Sequence, residues 1–249
     1  MKEVLTETAL KRLKIGQVDC EIITNPHKAL SEKEKQQILS LANQVLYCTT
    51  GIDRPVKQVE SFLFGIEDKG RVLCLFNSQE NLVGFASFHL LNKDGEFITY
   101  KGRTILHAGS GHILPKFQGS GLWIKSTKYY LNSLPEQIRP KYIEGLTQSP
   151  RFLRLITLIT NGRVYPNLED KNIENLKNLQ SKILPKILKE KDFLEKIRKG
   201  CVVSGINEKV YSSQILSRSI YDDFFYSQLK VKPEKGEFLH FVGIIDNLY

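Results

Sequence analysis

Residues 107–122, HAGSGHILPKFQGSGL, bring together side chains and bare backbone that could do chemistry. His107 and His112 carry imidazoles, which ordinarily titrate close to neutral pH. Gln118-Gly119-Ser120-Gly121-Leu122 follows, a glycine-rich turn between an apolar strand pattern and a helical one. Backbone N–H groups at a helix N-terminus, together with the helix dipole, make a ready anion site. Glycine lets that backbone approach a phosphate with no Cβ in the way. Lys125 and Lys128 fall on the first two turns of the following helix and add positive charge. The plainer alternative is a tight strand-to-helix turn with nothing bound.

These residues need a scaffold, and the pattern supplies one. Ser31-Glu32-Lys33-Glu34 reads as a capping box opening a helix of about 15 residues. A second helix is predicted over 55–64, with Pro55 in its first turn. RVLCLFN (71–77) and LVGFASFHLLN (82–92) read as an antiparallel hairpin across the turn SQEN. RTILHAGSGHIL (103–114) is a third strand, and Gly109-Ser110-Gly111 inside it suggests a bulge. His107 and His112 are an odd number of residues apart, so an unbroken strand sets them on opposite faces, and a bulge would change that. A helix over 122–134, a strand over 141–146 and a helix over 149–160 with Ser149 as N-cap complete the run. GEFLHFVGIID (236–246) is a last strand, apolar on both faces. The fold class is α/β on a mixed, mostly antiparallel sheet flanked by helices.

The turn resembles motif A of the GCN5-related N-acetyltransferase (GNAT) superfamily, in which an aliphatic residue and a proline end a strand and a [Q/R]-x-x-G-x-[G/A] turn opens the next helix. Ile113 and Pro115 match the strand end, and Gln118-Gly119-Ser120-Gly121 matches the turn. One departure is Trp123, which stands where the motif has a small residue. The likeness covers residues of about 70–165 and, more weakly, 20–65; the family's Tyr-x-x-x-Gly-Phe ending is absent. What it implies is a sheet with splayed strands that holds acyl-coenzyme A as co-substrate, acetyl-CoA first. Its contacts would come from Ile113, Leu114, Gln118, Gly119, Ser120, Gly121 and Leu122. The implied activity is direct acyl transfer to an amine on a small molecule or a protein. That reaction needs an oxyanion donor, for which backbone N–H groups near Ile113 are placed, and a base. The candidates for base are Glu144 and either His112 or His107. Tyr165 is the implied acid for the leaving thiolate. Residues 1–168 would form the core, 169–235 a helical insertion and 236–249 a strand returning to the sheet.

Composition narrows the partners without choosing one. The chain has 249 residues and 36 Lys+Arg against 27 Asp+Glu, a net charge of +9 that favours anionic partners. Residues 171–199 are lysine-rich, but interspersed acids and scarce aromatics favour a solvated amphipathic helix over a nucleic-acid face. Pro185 should kink or split that helix. The aromatics Tyr221, Phe224, Phe225 and Tyr226 read as a core stripe or as the wall of an acyl groove. Cys20, Cys48, Cys74 and Cys201 show no metal-ligand spacing and read as free thiols, so no metal is expected. No apolar run reaches the roughly 20 residues of a membrane span, and no signal peptide is evident, which together suggest the cytoplasm. A homodimer is compatible with all of this. Two other functions compete with transfer by acyl-CoA: an acyl-CoA-binding module without turnover, and a long-chain acyltransferase that docks an acidic acyl-carrier protein.

Overall fold

The computed structural model describes residues 8–65, 70–79, 81–91, 96–168, 174–190, 197–198, 201–203 and 219–245. The chain divides into two compact units, one ending at Pro140 and the other starting at Lys141. Parts of the lysine-rich segment 171–199 lie outside the described residues.

The first unit is built on an antiparallel sheet of β1 (Ala9–Ile15), β2 (Val18–Thr24), β3 (Arg71–Ser78), β4 (Asn81–His89) and β6 (Arg103–Ile113), in that order. The short β5 (Thr99–Tyr100) pairs with the start of β6. β1 and β2 are not anticipated above. Their signal is alternation: Val18, Cys20 and Ile22 of β2 are buried while Asp19 and Glu21 between them are not, before the strand turns fully buried at Ile23. The edge strand β1 hides the same signal under lysine and arginine, and Gly16, at φ +63°, turns the chain between the two.

Helices cover both faces of this sheet. α1 (Pro26–Ala29) leads into α2 (Glu32–Thr50), which opens on the predicted capping box, Ser31 with Glu34. α3 (Val56–Leu63) follows Pro55. Leu39, Ala42, Val45 and Leu46 of α2 and Val59 and Leu63 of α3 pack with Leu73, Leu75 and Phe85 of the sheet. Their i, i+3, i+4 spacing makes that buried stripe. α4 (Leu122–Asn132) lies on the other face, where Tyr130 meets Phe88 at 5.3 Å between ring centroids.

The second unit pairs β7 (Tyr142–Thr147), β11 (Phe238–Ile244), β10 (Val202–Val203) and β9 (Ile197–Arg198) in that order, all antiparallel, with β8 (Val164–Tyr165) against the end of β11. β11 is buried on both sides, as its two apolar sets predict. α5 (Pro150–Ile159) starts at Ser149, whose hydroxyl accepts from the Phe152 amide, and Phe152 packs edge-on against Phe241 at 5.8 Å. α6 (Glu174–Glu190) buries Leu176, Leu179, Ile183 and Leu184 along one face. Pro185 does not split it: the helix runs through to Glu190. A short helix, α7 (Ile220–Asp223), leads into a π-helical turn that buries Phe224 and Phe225, while Tyr221 and Tyr226 are half-buried. Phe224 and Phe225 are thus core.

Candidate functional site

The glycine-rich turn takes shape from its own hydrogen bonds. After β6 the chain makes a single 3-10 turn at Pro115–Phe117. The Gln118 amide donates to Pro115 O at 3.2 Å, and its side-chain Nε2 donates to Ile113 O at 2.8 Å, clipping the turn to the strand end. Ser120 Oγ donates to Phe117 O at 2.6 Å. Gly119 and Gly121 sit at φ +82° and +76°, the left-handed region that glycine enters without strain. With those donors accounted for, the amides of Gly119, Ser120, Gly121 and Leu122 meet no acceptor among the described residues, and Gly121 caps α4 without a side-chain bond. Successive amides alternating in this way form an anion-binding nest at a helix N-terminus.

The surroundings suit an anion. A Cβ on Gly119 would meet nothing within 4 Å, so the space beside that amide is open. The Lys125 stem runs along Gly121, its Cε 3.5 Å from where a Cβ would stand. Lys116 and Lys125 are exposed beside the turn.

Trp123 stays clear of this space. It is 5% exposed and its Cδ1 lies 3.7 Å from a Cβ built on Gly111 of β6.

The expected bulge is present. Gly84, Phe85 and Ala86 of β4 face Ile113, His112 and Gly111, whereas Phe88 and His89 face Ala108 and His107. One extra residue of β6 is therefore accommodated opposite Ser87. A side chain at Gly109 would collide there, 2.6 Å from Ser87 Oγ. The slip puts His107 and His112 on the same face. His107 stacks on His89 at 4.3 Å between centroids, and His112 lies against Phe85 at 5.5 Å.

His112 is held by α2. Thr49 Oγ1 lies 3.1 Å from His112 Nδ1, and that hydroxyl already donates to Val45 O at 2.9 Å. With the hydroxyl hydrogen on Val45 O, the ring donates from Nδ1 to Thr49, and the Nε2 lone pair meets no partner among the described residues. The residue is half-buried; burial, and secondarily the Arg54 charge, push its pKa down to about 4. The ring is therefore neutral at physiological pH.

The backbone at the strand end is partly committed. Leu114 donates its amide to Val83 O at 2.9 Å, which removes that N–H from any ligand. By alternation, Ile113 turns its amide and carbonyl to the opposite edge of β6.

Glu144 and Tyr165 belong to the second unit. Glu144 is sealed at 0% exposure on β7, with Oε2 3.1 Å from Nε2 of the equally buried His240 on β11. Gln180 of α6 donates to His240 O at 3.0 Å, tying the same strand to the helix. Tyr165 is half-buried opposite Val242, with Lys177 Nζ 5.8 Å from its ring centroid. Thr49, Arg54 and His240 are missing from the sequence-based candidates for the site. Thr49 lies 63 positions from its partner and His240 lies 96 positions from its own, with no local motif to join them.

No family profile and no curated protein matches the sequence. Solved structures that share part of its chain path include a ribosomal-protein-alanine N-acetyltransferase from Brucella melitensis (13% identity, 53% of this chain and 80% of that one, TM-score 0.35). Others are an acetyltransferase from Thermus thermophilus (13%, 59% and 87%, 0.38) and the GNAT domain of S. lividans PAT (10%, 66% and 92%, 0.38). Likeness of this extent gives no residue a role.

Proposed function

We propose that the protein is an acyl-CoA-dependent N-acyltransferase, with acetyl-CoA the first donor to test and an amine as acceptor. The observation that carries this is the nest: four unused amides, at Gly119 to Leu122, opening a helix directly after a bulged strand. Those amides and Lys125 would hold the diphosphate of coenzyme A, and the open space beside Gly119 fits that role. Bound acyl-CoA supplies the acyl group as an activated thioester.

This chain's own residues must then orient the donor and manage protons. The amine nitrogen bonds to the thioester carbonyl carbon, the C–S bond breaks, and the amine loses one proton as the sulfur gains one. His112 is the proposed proton acceptor because its ring is neutral and its Nε2 meets no partner among the described residues while Thr49 holds Nδ1. Its low pKa makes it a weak base, suited to passing the proton on to water. Glu144, sealed against His240, is assigned no proton transfer to substrate; we assign it to holding β7 and β11 together. Tyr165 is retained as the proposed acid on the family resemblance, and Tyr165→Phe tests it.

Calorimetric titration with acetyl-CoA, followed by transfer assays over a panel of amines, tests the proposal. Binding that weakens with Gly121→Val, plus turnover with at least one amine, supports it. Binding without turnover on any amine favours a non-catalytic acyl-CoA module, and absence of binding rejects both. Longer acyl donors, free or on an acyl-carrier protein, then define chain length.

A further inference from the structure

At about 100° per residue, Thr49, which holds His112, falls within the arc of α2's buried residues, between Ala42 and Val45, whereas Asn43 and Tyr47 lie outside that arc on one flank. On that flank, α2, α3 and their connection form a groove of about 650 Å³. Leu39, Tyr47 and Val56 give it apolar walls, while Asn43, Cys48 and Asp53 add polar atoms.

Three features of the groove point the same way. Asn43 Oδ1 is buried and accepts no hydrogen bond from the protein, a costly state for an amide oxygen unless a donor arrives. Asp53 brings an exposed carboxylate. In a chain of net charge +9, no lining side chain is lysine, arginine or histidine. Arg54 and Lys57 are close in sequence to Asp53, but Arg54 is turned over the Phe62 ring and neither lines the groove. The groove thus presents hydrogen-bond acceptors, one negative charge and aliphatic and aromatic walls. Tyr47 and Val56 are 59% and 58% exposed, unusually open for such residues.

We propose that this groove binds an organic cation, with an ammonium or guanidinium head against Asp53 and Asn43 Oδ1 and a hydrocarbon stem along Leu39, Val56 and the Tyr47 ring. Arginine and lysine side chains and free polyamines share this chemistry, a charged head on an apolar stem that packs on aromatic faces. The site is separate from the nest and from His112, and it stands or falls independently of acyl transfer.

Cys48 supplies the readout. It is the one exposed cysteine; Cys20, Cys74 and Cys201 are buried. A hydrogen bond from Cys74, followed by burial, holds the Cys20 thiol above its ordinary pKa, and burial raises that of Cys201 to about 11. N-ethylmaleimide should therefore label Cys48 selectively in the full-length protein. Labelling rates are measured without coenzyme A and at constant ionic strength, with spermidine, arginine amide, a lysine-containing peptide or neutral acetamide added. We expect one or more of the cations to slow labelling and acetamide not to. With Asp53→Asn, about tenfold more cation should be needed, as loss of a charge-assisted bond requires. The more potent arm tells whether the cation arrives free or on a polypeptide. Labelling unaffected by every cation, or slowed equally in Asp53→Asn, overturns the proposal.

Discussion

His112 and His240 are each held by one side-chain oxygen at 3.1 Å, and the two imidazoles end up with opposite properties. In the first unit a hydroxyl accepts from Nδ1, burial keeps the ring neutral, and the other nitrogen is left unused. In the second unit a carboxylate takes the partner's place, both groups are sealed, and α6 ties down the same strand. His240 Nδ1 also has no hydrogen-bond partner among the described residues, so the difference lies in access: a histidine in a half-open setting is fit for chemistry, and one sealed with its partner is a fastener. Residue type alone does not distinguish the two, and Glu144 is a case in point: as a strand carboxylate it looks like a base, and its surroundings make it structural.

The sharpest way to break this contrast is to remove one member of each pair. Glu144→Ala leaves a buried imidazole without its partner and should destabilise the protein by about 3–5 kcal/mol in urea titration. Replacing Glu144 and His240 together by leucine should recover much of that loss. His112→Ala should do the reverse, lowering acyl transfer by about a hundredfold while the urea midpoint moves little. If Glu144→Ala slows transfer without destabilising the fold, the assignment of the two histidines is inverted.

A smaller effect is expected at the nest. Gly119→Ala meets no obstruction, but its left-handed backbone should cost about 1–2 kcal/mol and weaken acetyl-CoA binding, with little change in the urea response of the second unit. The smallest and most diagnostic effect is in pH. His112 must be neutral to accept a proton, so kcat should fall as pH drops through about 4, rather than near the 6.5 of an ordinary histidine. Because the folded pKa is depressed, His112 contributes full stability above pH 6.5, and that contribution is lost as pH falls from there toward 4. In His112→Gln the stability loss over that interval should be smaller. An acid limb unchanged by the substitution would assign the titration to another group.

Local signals were legible and distant ones were not. Gly109 marks the bulge because only a residue without Cβ fits against Ser87. The capping box at Ser31 and the cap at Ser149 are written within four residues, and both appear as expected. β1 is masked by basic residues because an edge strand wets one side. The proline in α6 suggests a break that does not occur, since the helix is held by its buried face rather than by each backbone bond. The tautomer of His112 and the sealing of Glu144 depend on partners far away in the chain, so no inspection of neighbours could reveal them.

Trp123 has an optical consequence. It is the chain's only tryptophan, rooted one residue past the last amide of the nest and inserted beside Gly111. Its emission therefore carries no background from other indoles and originates next to the proposed diphosphate cradle. Fluorescence of the unlabelled wild-type protein should register occupancy of that cradle directly, in a cuvette, before any acceptor is known.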